Sequence, residues 1–131
     1  QERRSGNQYD KNLVLEAAEA ALREGEAIAA APLTIPATCN NGLCPTLPAG
    51  GTDRWLDTTF TAWRTAKSTN DKLVSSQFII EDMGAQPVDG TCHFQTPIEP
   101  TCLIPLYRVT ARATATNGRG TTVTLQSNIR Q

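Results

Sequence analysis

The side chains with the widest chemical reach in this 131-residue chain are four cysteines and a single histidine. Cys39 and Cys44 bracket Asn40, Asn41, Gly42 and Leu43, whereas Cys92 and Cys102 bracket a longer run that includes Pro97 and Pro100. Two chemistries suit such a set. Structural zinc takes four thiolate or imidazole ligands in a tetrahedron, and His93 next to Cys92 adds a further donor. Zinc knuckles, however, set paired cysteines about two to four residues apart, and the Cys92 to Cys102 gap is too loose for one. Disulfides fit better, because each pair flanks a turn-rich stretch able to bring Cα atoms within roughly 4.4 to 6.8 Å. Of the connectivities open to four cysteines, the local one is expected: Cys39 with Cys44, and Cys92 with Cys102. Such pairing points to an oxidising compartment. No metal site and no cofactor is expected.

Catalytic machinery is not assembled by any motif. The chain has no GxSxG elbow, no GxxxxGK[ST] phosphate cradle, no HExxH and no GxGxxG. His93 would have to act alone in a proline-rich loop. Asp53 and Asp57 stand four apart, the spacing of a solvated helix face. Glu81 and Asp82 are neighbours in a β-forming stretch, so they point to opposite faces and cannot share a proton; both read as solvated. Trp55 and Trp63 are read as core anchors rather than a binding platform. The chain is not expected to be an enzyme.

Charge and hydropathy narrow the class further. Twelve basic and 13 acidic side chains leave a formal net charge of -1, which argues against a dedicated nucleic-acid binder with its concentrated basic excess. No apolar run is long enough to span a bilayer. The length suits one domain with one core, spanning residues 1–131. The chain opens on Gln1 in the middle of a helical pattern, so a missing N-terminal segment is expected.

The elements that must carry these residues follow from periodicity. In Asn12 to Ala30, Asn12, Glu16, Glu19, Arg23 and Glu26 line one side of a helix, and Val14, Ala18, Ala21, Gly25 and Ile28 line the other. The apolar stripe is made of small residues, so its partner can approach the backbone closely. Residues 31–75 form a connecting region, with a turn at Asn41 and Gly42 where positive φ is tolerated. Within it, Thr52 to Arg64 places Leu56, Phe60 and Trp63 at helical spacing, and a short helix or helical turn is expected. Ser76 to Glu81 reads as a strand, and Gly84 to Pro105 as an irregular region.

The last third alternates apolar and polar residues over Tyr107 to Ala115 and again over Thr121 to Ile129. A two-residue turn at Asn117 and Gly118 would oppose Ala113 to Thr122 and set apolar against polar. An odd-length loop pairs Ala113 with Val123, Ala111 with Leu125 and Tyr107 with Ile129, and this register is expected. The result is an α+β, two-layer fold with the N-terminal helix packed on a small antiparallel sheet and loops closed by disulfides.

Two stretches resemble a known family. QERRSGNQYDKNLVLEAAEAALREGE, from Gln1 to Glu26, resembles the segment after the transmembrane half of the N-terminal helix in PilX-family type IV pilus minor pilins, where an ER-x-x-GN stretch leads to AAEAALR-x-GE. YRVTARATATNGRGTTVTLQSNIR is similar to that family's closing hairpin. The resemblance implies a pilin-like fold and a non-catalytic minor pilin that helps prime and assemble type IV pili. Such a subunit works near the tip with other minor pilins, the major pilin and a large adhesin. It implies a location in the inner membrane and periplasm of a Gram-negative bacterium before assembly, then in the extracellular pilus. Such a pilus is implied to serve adhesion, motility or DNA uptake. It also implies that the helix begins before Gln1 with a membrane-anchoring half, which makes Glu2, Arg3, Arg4, Asp10 and Lys11 candidate inter-subunit contacts. Gly84 to Pro105 corresponds to the exposed, disulfide-bounded region of pilins. Two other readings stand beside it: a minor pseudopilin of type II secretion, and a small extracellular binding module whose closed loops hold a ligand.

Overall fold

A run of Ala, Leu, Glu and Arg, all strong helix formers, makes the amino end helical in the computed structural model of the chain. The structure describes residues 2–67, 73–87, 94, 96–97, 102–116 and 121–131, with side chains of the first helix from residue 11 onward. That helix, α1, spans Glu2–Ala30 and stops just before Pro32, which cannot continue the ladder. Its buried side is Val14, Ala17, Ala18, Ala21, Gly25 and Ala29, while Asn12, Glu16, Glu19 and Arg23 are exposed.

Among the described residues, five strands form one sheet. They are β1 (Leu43–Cys44), β2 (Arg64–Thr65), β3 (Val74–Pro87), β4 (Leu103–Ala115) and β5 (Thr122–Arg130), with β3 against β4 and β4 against β5. The long pairs are antiparallel, and β4 meets β5 with Tyr107 opposite Ile129, Ala111 opposite Leu125 and Ala113 opposite Val123. This is the register that matching of faces requires; the turn at Asn117 and Gly118 lies outside the described residues. The sheet is mixed rather than antiparallel, because β1 pairs with β3 in parallel. A tight turn causes this. Asn41 and Gly42 both take positive φ, 48° and 80°, so that Asn40 and Leu43 exchange backbone hydrogen bonds, and the reversed chain then lies along Ile80 and Glu81.

The core lies between α1 and the sheet. Phe78, Ile80, Tyr107, Val109 and Ala111 pack against Ala21 and Ala29 at one end, and Val74, Ala113 and Ala115 against Val14, Ala17 and Ala18 at the other. Full burial of a Phe or Ile side chain stabilises by about 1.5 to 3 kcal/mol, so Phe78 and Ile80 dominate this layer. The small stripe sets the spacing. A Cβ added at Gly25 would come within 2.5 Å of Val109 Cγ1 and 3.1 Å of Phe78 Cδ2.

Two expected elements take a particular form in the structure. Thr52 to Arg64 holds the expected helical turn as a one-turn 3-10 helix, Arg54–Leu56, rather than a longer helix, and Leu56 is exposed. Thr59 donates from both its backbone N and its Oγ1 to Asp57 Oδ1, at 2.9 and 2.7 Å, a local bond that competes with helix propagation. Gly84 to Pro105 is also less irregular than its prolines suggest: Ala85, Gln86 and Pro87 pair with Pro105, Ile104 and Leu103. A bulge between Asp82 and Ala85 allows this, with Gly84 at φ 84° and its N–H donated to Asp82 Oδ1 at 2.8 Å.

Candidate functional site

Strand alternation sends Gln77, Ile79 and Glu81 of β3, and Arg108, Thr110 and Arg112 of β4, to the face away from α1. Ile79 and Thr110 are fully buried there, so this face is covered as well. The cover comes from the connecting region. Arg54 Nη1 donates to Glu81 Oε2 at 2.9 Å, and Arg108 donates through Nε and Nη2 to Glu81 Oε1 at 3.2 and 2.9 Å. Asp53 approaches Arg108 at 3.8 Å. Further along, the Arg112 guanidinium lies 3.9 Å from the Trp63 ring centroid and donates twice to Gln77 Oε1. Phe60 meets Trp63 edge to face, with ring centroids 6.1 Å apart.

Glu81 is therefore not solvated. Its side chain is 1% exposed, and the two guanidiniums satisfy both oxygens; only its opposite number, Asp82, points to the α1 side of the strand and is half-buried. Sequence reading missed this cluster because Arg54 and Arg108 are far from Glu81 in the chain. The one available signal was the placement of a carboxylate directly after Phe78, Ile79 and Ile80. The cation over the Trp63 ring adds a cation-π contact, and burial lowers the Arg112 guanidinium from its ordinary value. Burial likewise raises the Tyr107 phenol, with the Asp82 charge adding to it. Neither shift sets up a nucleophile with a base.

The residues singled out for chemistry are scattered. Cys39 and Cys44 are joined in a disulfide, which removes them as zinc ligands. Cys102 is also disulfide-bonded, while Cys92 and His93 lie outside the described residues. Asp53 precedes the 3-10 turn and Asp57 closes it, so the two do not share a helix face. Trp63 is buried and Trp55 half-buried. Among the described residues, no three His, Cys, Asp or Glu side chains gather to hold a metal. Glu2, Arg3, Arg4, Asp10 and Lys11 all belong to α1, with the Lys11 side chain exposed and the other four side chains outside the described set. No described helix is long and apolar enough to cross a membrane.

What this arrangement does is hold a connecting strap, residues 53 to 63, on the back of the sheet while α1 covers the front. Glu24 accepts from the Lys67 backbone N–H at 2.9 Å, Ser127 donates to Glu26 at 3.0 Å, and Gln131 donates to the carbonyls of Ala29 and Ala31 at 3.3 and 2.6 Å. The helix is thereby tied to the segment that follows β2 and to the C-terminal strand. No curated protein and no solved structure matches the chain. The family model described as the C-terminal part of type IV pilus assembly protein PilX matches residues 29–131, from the end of α1 through the whole strap and sheet. The chain thus belongs to the PilX family of type IV pilus assembly proteins.

Proposed function

We propose that the chain is a non-catalytic minor pilin that takes part in priming and assembly of type IV pili, near the tip and together with other minor pilins. The family match over residues 29–131 carries this reading. The packing agrees with it: among the described side chains of α1, Val14, Ala17 and Ala18 are buried against the sheet while Lys11 and Asn12 are exposed. On this reading the helix continues upstream of Gln1 into an apolar half that anchors the subunit in the inner membrane and later packs in the filament. Glu2, Arg3, Arg4, Asp10 and Lys11 then face neighbouring pilins. The family description favours the pilus over a type II secretion machine.

Deleting the gene and scoring surface pili tests this. Loss of pili is expected, with recovery by the full-length gene and poor recovery when Arg3 and Arg4 are both changed to Glu. Wild-type piliation in the deletion strain would sink the proposal.

A further inference from the structure

β5 ends the sheet, and its outer edge is the one feature of the fold that is built for a partner and has none among the described residues. Which backbone groups face outward follows from the ladder. Ala115 N donates to Thr121 O at 3.1 Å and Gln131 N to Pro105 O at 3.0 Å, and both pairs fit the register that sets Ala113 opposite Val123 and Ala111 opposite Leu125. Odd-numbered residues of β5 therefore exchange hydrogen bonds with β4. In an antiparallel ladder the alternate residues direct both N–H and C=O to the other side, so Thr122, Thr124, Gln126, Asn128 and Arg130 present theirs to solvent. Their side chains are exposed too.

Natural edges are guarded by Lys, Pro, bulges or short length. β5 has none of these. It is nine residues long, pairs with β4 without a register shift, and carries a single charge, Arg130, at its far end. Among the described residues Arg130 has no ion-pair partner. On the α1 side of the strand, Val123, Leu125 and Ile129 are only half-buried, whereas Val109, Ala111 and Ala113 of β4 are fully buried. By contrast, the opposite edge of the sheet is covered at the centre of β3, where β1 and β2 pair with Gln77, Phe78, Ile80 and Glu81.

We propose that the outer edge of β5 is a strand-addition site for an extended segment of a different pilus-assembly subunit. That segment alternates apolar side chains, which complete the cover over Val123, Leu125 and Ile129 beside α1, with polar ones that match Thr122, Thr124, Gln126 and Asn128. An acidic residue in it lies opposite Arg130. Main-chain hydrogen bonds give such a mode its affinity and the alternating pockets its specificity. A second copy of this chain does not fit. Antiparallel pairing of two β5 edges keeps both α1 helices on one face but points them in opposite directions, which two subunits anchored in one membrane cannot adopt. The inference rests on the minor-pilin reading for that anchoring and for the identity of the partner.

The test is amide hydrogen exchange on the full-length protein, alone and co-purified with the minor pilins encoded beside it. In the complex, the amides of Thr124, Gln126 and Asn128 should exchange at least about tenfold more slowly, while those of Leu125 and Ser127 are protected in both states. A Thr124→Pro variant removes an outward backbone donor, a substitution that edge strands tolerate. It should lower recovery of the complex about tenfold with an unchanged far-ultraviolet spectrum. A complex that forms with the even-numbered amides unprotected overturns the edge proposal and leaves the minor-pilin reading standing. Protection in the isolated protein that rises with its concentration assigns the edge to self-association and overturns it as well. Failure of any complex to form overturns both.

Discussion

Arg54 Nη1 lies 2.9 Å from Glu81 Oε2, and the carboxylate that it meets is 1% exposed. This ion pair ties the connecting strap to the back of the sheet, with Arg108 holding the other oxygen at 2.9 Å. Such a pair is weak evidence for net stabilisation, but removing one member leaves the other charge buried.

Glu81→Gln should therefore destabilise the fold by about 3 kcal/mol, since two guanidiniums lose their counter-charge. Arg54→Met should cost less, because Arg108 still neutralises Glu81. Urea denaturation measures both. A Glu81→Gln cost no larger than that of a surface substitution, under about 0.5 kcal/mol, would show that the cluster does not hold the strap.

Gly25 sits where α1 comes nearest the sheet. Alanine there gains helix propensity of roughly 1 kcal/mol but places its Cβ 2.5 Å from Val109 Cγ1. The expected outcome is a net loss of about 1 to 2 kcal/mol from overpacking. Adding Val109→Ala should recover part of that loss, so the two changes will not sum. Additive effects in thermal melts would refute the contact.

The Cys39–Cys44 bridge closes a sequence separation of 5. For so short a loop the chain-entropy estimate is about 2 kcal/mol. Replacing both cysteines with serine should lower the urea midpoint accordingly and loosen β1, which is read as faster exchange of the Ile80 amide that donates to Gly42 O.

Asp57 has its carboxyl held below the ordinary 3.8, first by the Thr59 hydroxyl and then by the Thr59 backbone N–H. Depression in the folded state means that its contribution to stability is fully present above 3.8 and is lost as pH falls through the lower folded value. Thr59→Ala removes the larger cause and should move the Asp57 carboxyl resonance titration back toward 3.8. An unchanged titration would contradict the assignment.

The helix and the closing hairpin were legible in the linear pattern because each is a local periodicity. Val14, Ala18, Ala21 and Gly25 recur at helical spacing and are buried, and the alternation around Ala111 and Ala113 forces one pairing register. The Asn41 and Gly42 turn was equally local, since only residues that accept positive φ suit it. Of the short helix or helical turn expected in Thr52 to Arg64, only the turn Arg54–Leu56 forms, for a reason also local but weak in the pattern, the bonding of Thr59 to Asp57 Oδ1.

What the sequence determined by itself is the alternation of faces: which side of α1 is apolar, which side of β4 and β5 turns toward it, and that short-range signals close the small cysteine loop. The tertiary structure alone decided what covers the other side of the sheet. Glu81 reads as a solvated acid until the chain folds back and brings Arg54 and Arg108 to its two oxygens. The burial of a charge depends on partners distant in the chain, and no periodicity encodes them. The parallel pairing of β1 with β3 is decided in the same way, by where a tight turn happens to lie in space.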